Sequence, residues 1–194
     1  MLHGYFARTY YAAAEPNMTY LIFDTETTGL VLHPLAKDEL QPRIIEWGGM
    51  LVDEKGDELD ELDVLINPGI PLPEKITKIT GLADADLEHE PPFAALAPLL
   101  FNMFSRADAM IAHNLPFDTG MMTLDLRRAG LLEGWPWPKI KICTVQEHAE
   151  EWGRRPKLTE LYEHYLGKKL EQSHRALDDV RALKEICLKA GVLK

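Results

Sequence analysis

Apolar and polar positions in the first third of the chain follow the short period of β-strands. Residues 20–25, 43–53 and 61–67 predict three strands, of which the first is expected to be buried. Between the second and third lies the polar segment DEKGDEL, whose Gly56 can take the positive φ that tight hairpins need. This part of the chain therefore predicts a strand followed by a hairpin.

The remainder of the chain alternates helical and strand patterns. Apolar strands are predicted at 109–113 and 139–145, and helices at 91–104, 117–132 (ending near Gly130), 158–166 and 174–191. Strands come first and helices then alternate with strands. This order predicts an α/β fold, with a mixed sheet and helices packed on its faces.

The chain length suits one domain with a full hydrophobic core, expected over residues 19–194. Residues 1–18 lack the sustained apolar segment of a signal peptide. They are interpreted as a disordered N-terminal arm or as an extension upstream of a start at Met18. No run reaches the roughly 18 apolar residues of a membrane helix, which predicts a soluble protein without membrane contact.

Charge and cysteine content narrow the classes of function. With 21 basic and 31 acidic residues the formal net charge is -10. This charge argues against a protein that wraps long nucleic acid. It does not exclude an enzyme that binds a few nucleotides. The two cysteines, Cys143 and Cys187, form no CxxC pair, which argues against a disulfide framework or structural zinc. A reducing, cytoplasmic location is expected.

Two acids, Asp24 and Glu26, stand at the end of the first predicted strand. Side chains at i and i+2 of a strand share a face, here about 7 Å apart along the backbone. Two negative charges this close favour a hard cation such as Mg²⁺. On the spacing alone, however, a pair of solvated acids remains the better supported interpretation.

A third acid, Asp118, follows the predicted strand 109–113 within HNLPFDTGMM. Aspartate commonly begins helices by accepting backbone N–H groups. Asn114 can do this instead, with Pro116 in the first turn, where its missing N–H does no harm. Asp118 would then lie inside the helix and need another explanation. The local sequence leaves the two interpretations balanced.

The last helical pattern carries an apolar stripe formed by Ala176, Val180, Leu183 and Cys187. At about 100° per residue, Asp179 lies at the margin of this stripe, whereas Asp178 points to solvent. Asp179 is therefore expected to face the protein body. His174 precedes it by five residues. A lone histidine is more often a capping or surface group than a catalyst, and the nearby half-buried acid favours function only modestly.

Three segments in order, FDTETTG, HNLPFD and HRALDD, resemble the motifs of the DEDD superfamily of 3′-to-5′ exonucleases. The histidine branch, which includes the proofreading ε subunits of bacterial replicative polymerases, is the most similar. The tyrosine branch would need a tyrosine where Arg175 stands. The resemblance covers about residues 20–190. Departures at Gly120, Met121 and Cys143 touch no motif acid.

This resemblance implies a ribonuclease H-like mixed sheet that brings together four acids, Asp24, Glu26, Asp118 and Asp179. It implies that they hold two Mg²⁺ or Mn²⁺ ions roughly 4 Å apart, bridging the scissile phosphate. It implies that His174 is the general base that takes a proton from the attacking water. The implied product is a nucleoside 5′-monophosphate.

The resemblance also implies a nucleotide-binding set: Thr27, Thr28, Leu30, Asn114 and Phe117. Backbone groups around the two threonines would meet the terminal nucleotide. Leu30 would wedge beside its base, although an apolar residue after a turn is more often core. Asn114 and Phe117 would support the segment of the third acid more than contact the nucleotide.

Five basic residues could contact upstream phosphates: Arg154, Arg155, Lys157, Lys168 and Lys169. A solvated surface is the favoured interpretation of this group, given the acidic character of the chain.

The expected function is a metal-dependent exonuclease acting on single-stranded or frayed DNA 3′ ends. The same chemistry on RNA, as in ribonuclease T-like and oligoribonuclease-like relatives, is the nearest alternative, and DTETTGL favours the proofreading group. A second alternative is a polymerase-associated subunit that acts mainly as a binding module, with a DNA polymerase as partner. The presence of every motif acid disfavours it. The chain carries no long tail for tethering, which favours an independent enzyme.

Overall fold

A five-stranded mixed sheet forms the centre of the molecule in the computed structural model, which describes residues 18–33 and 37–193. The strands are β1 (Tyr20–Thr27), β2 (Ile44–Val52), β3 (Glu58–Leu65), β4 (Ala109–Ala112) and β5 (Ile140–Cys143). Their order in space is β3-β2-β1-β4-β5. β2 is antiparallel to β1 and β3, whereas β4 is parallel to β1 and β5. The predicted mixed sheet is confirmed, and the predicted N-terminal arm lies outside the described residues except for Met18.

Seven α-helices accompany the sheet in the described residues. They are α1 (Glu74–Thr80), α2 (Asp84–Leu87), α3 (Phe93–Ser105), α4 (Leu115–Arg128), α5 (Thr144–Trp152), α6 (Leu158–Leu166) and α7 (Ala176–Ala190). The four predicted helices correspond to α3, α4, α6 and α7. None of the described helices is both long and apolar enough to cross a bilayer.

Three helices, α1, α2 and α5, were not predicted, and two strands, β3 and β5, have other boundaries than predicted. α1 and α2 are only seven and four residues long, too short for a periodic apolar pattern. The strand predicted at 139–145 ends at Cys143, because Thr144 begins α5. β3 begins at Glu58 and ends at Leu65, not over 61–67. As an edge strand rich in acids, it shows an apolar pattern only near its end.

The two faces of the sheet form two hydrophobic clusters. Leu21 and Phe23 of β1 pack into the cluster that includes residues of α3 and α4. Tyr20 and Ile22 pack into the other, which includes residues of α6 and α7. Strand side chains alternate between faces. Continuing this alternation places Asp24 and Glu26 on the side of α7.

Two glycines shape the surroundings of β2, one in its hairpin turn and one against α7. Gly56 has a φ of 82° in the turn between β2 and β3, as predicted for the hairpin. Gly48 pairs with Asp24 across the sheet. A Cβ atom on Gly48 would lie 2.5 Å from the backbone nitrogen of Leu177. The absence of a side chain at Gly48 therefore lets the first turn of α7 lie directly on β2.

Candidate active site

Four acids meet where β1 ends. Asp24 and Glu26 belong to β1, Asp118 to the first turn of α4, and Asp179 to the first turn of α7. The negative charges of the other three all act on Asp24. All four residues are fully or partly buried. The structure therefore brings the four predicted acids together, although they span more than 150 positions of the sequence.

The pKa values of these acids show how strongly the cluster resists negative charge. Burial, and then the charges of Asp118 and Asp179, raise the pKa of Asp24 well above its ordinary value. Burial, and then the charge of Asp179, raises the pKa of Glu26 to about 8. Burial raises the pKa of Asp118 to about 7. Carboxylates packed this way ionise readily only beside a cation.

Hydrogen bonds orient two of the acids. The Thr25 hydroxyl donates to Oδ1 of Asp118 at 2.8 Å, which offsets part of the effect of burial on that carboxyl. Gln172 Nε2 donates to Oδ2 of Asp179 at 2.6 Å. Neither donor was predicted from the sequence. The sequence did contain a signal for Thr25. It stands between the two acids of β1, so strand alternation points its side chain to the opposite face of the sheet.

The helical pattern separated Asp179 from Asp178 correctly. Asp179 is buried beside the other acids, whereas Asp178 is exposed and bonded to the hydroxyl of Ser173 at 2.8 Å. The burial that was predicted from periodicity is confirmed for both residues.

His174 precedes α7, which begins at Ala176, so the helix predicted from residue 174 starts two residues too early. Its φ of 52° is the one positive φ outside glycine among residues 18–33 and 37–193. Glu26, His174 and Asp179 each offer a ligand atom, and these atoms lie within 4.8 Å of one another. His174 is partly exposed. Its side chain therefore borders the acid cluster at a place that water can reach.

His113 has a different environment from His174. Its Nε2 donates to the carbonyl of Pro156 at 3.2 Å, so its Nδ1 accepts the hydroxyl hydrogen of Thr144 at 3.0 Å. Burial lowers its pKa to about 4, which keeps the ring neutral. His113 thereby joins the end of β4 to the start of α5 and to the segment before α6.

Glu46 and Arg175 also border the acid cluster and were not predicted from the sequence. Glu46 lies opposite Glu26 in the register of β1 and β2 and is fully buried. Arg175 Nη2 lies 2.8 Å from Oε1 of Glu46. The sequence did contain a signal for this pair. Glu46 stands within the apolar run RIIEWGGM, and a buried carboxylate needs a partner.

The predicted nucleotide-binding residues on the β1 side differ in exposure. The Thr27 hydroxyl donates to the carbonyl of Gly29 at 2.8 Å. The Thr28 N–H donates to the carbonyl of Arg43, and the Thr28 hydroxyl accepts from the Arg43 N–H, both at 2.9 Å. Leu30 is 77% exposed, so it is not a core residue. The backbone N–H of Thr28 is thus already used within the protein, while Leu30 is available to a ligand.

Asn114 lies just before α4, and Phe117 precedes Asp118 in its first turn. Asn114 occupies the position before the helix, but its side chain does not cap the helix, contrary to the cap proposed for it. Its Oδ1 instead accepts a hydrogen bond from Arg155. Phe117 is partly buried against the cluster that contains Phe23. Both residues lie in the segment around Asp118, and their role as its supports stays a prediction.

A surface cavity of about 490 Å³ lies next to this segment. Its lining includes Val31, Asn114, Phe117, Gly120, Gln146 and Arg155. The side chains combine apolar surface with amide and guanidinium groups. Such a lining suits a base with a neighbouring phosphate.

Two of the five basic residues considered as phosphate contacts are paired with acids. Arg154 makes two hydrogen bonds to Glu160, both 2.8 Å long, and Lys168 lies 3.5 Å from Glu185. This agrees with a solvated surface for these two. Arg155 bonds the neutral Asn114 and keeps its charge available.

The donor chemistry of the acid cluster fits a hard divalent cation. Its four carboxylates supply oxygen ligands, which Mg²⁺ and Mn²⁺ prefer. The raised pKa values indicate that a positive charge would relieve the repulsion among them. Both cysteine thiols lie in the hydrophobic clusters, away from these acids. The residues therefore fit the divalent cations implied by the sequence motifs.

Comparisons with known proteins identify a family and relatives that agree with one another. The family described as Exonuclease matches residues 21–187. A DNA polymerase III PolC-type protein of Caldanaerobacter subterraneus subsp. tengcongensis is 29% identical over 171 residues, 88% of this chain and 11% of that protein. A DNA polymerase III subunit epsilon-like protein of Rhodobacter capsulatus is 31% identical over 176 residues, 89% of this chain and 23% of that protein. The chain thus spans about a tenth to a quarter of these relatives.

A solved structure shares the fold. The nuclease domain of 3′hExo, described as a DEDDh family member bound to rAMP, superposes with a TM-score of 0.68 at 15% sequence identity. The superposition covers 91% of this chain and 93% of that one. The predicted ribonuclease H-like fold is confirmed.

Proposed function

Because this chain belongs to the exonuclease family, we propose that it is a divalent-metal-dependent 3′-to-5′ exonuclease that releases nucleoside 5′-monophosphates from DNA 3′ ends. The observation that supports this most is the meeting of four fully or partly buried acids and one partly exposed histidine at the end of β1. A binding module has no need for carboxylates held at raised pKa values. Perturbed titratable groups that cluster in this way are typical of catalytic sites.

The four acids would hold the cations. Asp24 is surrounded by the other three acids and is the candidate for a shared ligand. Two bound divalent cations would supply charge that polarises the scissile phosphate and promotes ionisation of the attacking water. Thr25 and Gln172 keep the carboxylates of Asp118 and Asp179 oriented for this role.

His174 would accept the proton of the attacking water. The water oxygen forms a bond to phosphorus as the bond from phosphorus to the 3′ oxygen breaks. The proton passes to the imidazole, and the leaving 3′ oxygen is protonated from solvent. A general base of this kind contributes typically about 10²- to 10⁴-fold to the rate.

The relatives favour DNA over RNA. The relatives whose matches cover most of this chain include proteins named as DNA polymerase III PolC-type and as DNA polymerase III subunit epsilon-like. The solved structure of a 3′-exonuclease with 3′-end specific recognition of the histone mRNA stem-loop is 15% identical and shows the fold alone. DNA is therefore the proposed substrate, and a DNA polymerase is the expected protein partner.

The test uses DNA and RNA oligonucleotides of one sequence, labelled at either end, with Mg²⁺, Mn²⁺ or EDTA. The 3′-labelled DNA should release its label at once as a mononucleotide, whereas 5′-labelled DNA should give a descending ladder. EDTA should abolish both. Cleavage that persists in EDTA, or release of the 5′ label first, would contradict the proposal. Faster cleavage of RNA would assign the RNA alternative.

Two isosteric variants supply the control. Asp24→Asn should lower the rate by at least about 1,000-fold, because it removes a central charged ligand. Asp178→Asn, at an exposed acid, should retain the wild-type rate. Binding of 3′ ends without cleavage by wild type and Asp24→Asn alike would favour the binding module instead.

A further inference from the structure

Glu46 is a fifth acid beside the four, yet it already has a partner. It is 0% exposed, and Arg175 Nε lies 2.9 and 3.0 Å from its two carboxylate oxygens. A third contact of 2.8 Å comes from Nη2 of the same guanidinium. A buried carboxylate with several charge-assisted hydrogen bonds holds its partner in one geometry.

Arg175 occupies the junction between His174 and α7. It is the residue before the helix, and its carbonyl accepts the N–H of Asp179 at 3.1 Å. Anchoring its side chain on β2 therefore fixes the backbone between the histidine and the last acid. Gly48, two residues along the same face of β2, adds a close backbone approach to Leu177.

The backbone of His174 needs such an anchor. A φ of 52° is costly for a residue with a Cβ, and it persists only where the surroundings impose it. Building on the proposed function, we propose that the Glu46–Arg175 ion pair is a positioning device that holds His174 in place as the general base. Both residues of the pair would act through His174 and not on the reacting atoms.

A double-mutant cycle tests this through kinetics. Arg175→Gln should lower kcat by about 10- to 100-fold, because small displacements of a catalytic group cost rates of this size. KM should stay within about threefold, because the pair does not contact the nucleotide. In a His174→Ala background the same change should cost nothing further. Arg175→Lys, which keeps the charge but not the planar fork, should recover part of the loss.

The same helix offers a matched control. Arg181 forms an exposed ion pair with Glu61 of β3, with Nη2 3.0 Å from Oε1. Arg181→Gln removes an arginine of α7 and its bond to the sheet without touching His174. Its kcat should equal that of the wild type. A loss equal to that of Arg175→Gln would mean that the ion pairs merely stabilise the helix, and would overturn the proposal.

Crystal structures of the wild type and Arg175→Gln give a readout that needs no activity. The φ of His174 should leave the left-handed region in the variant. Retention of a φ near 52° in Arg175→Gln would overturn the proposal. A double variant whose kcat falls by the product of the two single losses would overturn it as well. An inactive wild type would instead refute the proposed function, and the conformation of His174 in the two crystal structures would still test the role of the pair.

Discussion

The hydroxyl of Thr25 donates a 2.8 Å hydrogen bond to Oδ1 of Asp118. The bond joins β1 to α4 across 93 positions of sequence. Thr25 separates Asp24 from Glu26, and its side chain points to the opposite face of the strand. Thr25 therefore contributes to the site directly. It orients Asp118, while its two neighbours in the sequence are the first two acids.

Removing this hydroxyl should weaken the metal site. Thr25→Val keeps the shape of the side chain but leaves the carboxylate of Asp118 without its donor, which disfavours the charged form. The Mg²⁺ concentration for half-maximal cleavage should rise about tenfold, which corresponds to roughly 1.4 kcal/mol. Thr25→Ser retains the hydroxyl and should behave as the wild type. An unchanged Mg²⁺ requirement in the valine variant would show that the bond does not matter for metal binding.

Stability of the metal-free protein should fall as the pH rises from 6.5 to 8. Burial raises the pKa of Glu26 from 4.5 to about 8 and that of Asp118 from 3.8 to about 7. Between pH 6.5 and 8 the folded state therefore binds more protons than the unfolded state, so its stability decreases as the pH rises. Burial lowers the pKa of His113 from 6.5 to about 4. Its opposite contribution, a gain with rising pH, levels off about one pH unit above 6.5 and is smaller than the loss from the two acids.

Thermal unfolding in EDTA and in Mg²⁺ measures this effect. In EDTA the Tm should drop by a few degrees between pH 6.5 and 8, and Mg²⁺ should raise it most at pH 8, where the carboxylates ionise. Glu26→Gln should flatten the profile in EDTA. A Tm in EDTA that stays constant or rises over this range would contradict the raised pKa values.

Filling the space at Gly48 should displace α7. A Cβ atom there would lie 2.5 to 2.9 Å from backbone atoms of Ala176 and Leu177, which cannot move as a side chain can. Gly48→Ala should lower the Tm by about 4–10 °C, in line with an overpacking cost of about 1–3 kcal/mol. It should also lower kcat, by about 100-fold for a shift near 1 Å.

Gly120 provides the comparison for this variant. A Cβ atom on Gly120 would meet only a Val31 methyl group at 3.8 Å within 4 Å, an ordinary contact. Gly120→Ala should leave the Tm unchanged or higher, because alanine favours a helix by about 1 kcal/mol over glycine. Equal Tm values for both alanine variants would refute the close approach of α7 to β2.

Leu30 should affect substrate binding and not stability. Its side chain is 77% exposed, three residues after the end of β1, so the folded protein gains little from it. If it packs against the terminal base, Leu30→Ala should raise KM about 3- to 10-fold, as expected for roughly 1 kcal/mol of apolar contact. The Tm should not change.

Leu40, which is 65% exposed in the short 3-10 helix Asp38–Leu40, is the control for an exposed leucine. Leu40→Ala should change neither KM nor Tm. A KM for Leu30→Ala that matches the wild type would remove Leu30 from the nucleotide-binding set.

Local patterns were sufficient for much of the fold. Unbroken or alternating apolar positions predicted the strands, and the helical stripe of α7 separated buried Asp179 from exposed Asp178. The ordered motifs indicated the family that the match over residues 21–187 confirms. These features depend on the period of a single element, which is written in neighbouring residues.

Other features were decided only by tertiary structure. β3 and the short helices have weak periodic patterns, because an edge strand and brief helices bury little surface. The ion pair of Glu46 with Arg175 joins residues 129 positions apart, and the left-handed backbone of His174 accompanies it. The sequence by itself predicted the four acids that the structure brings together. Their orientation required the folded sheet, because hydrogen bonds and ion pairs between distant residues exist only once strand register brings them into contact.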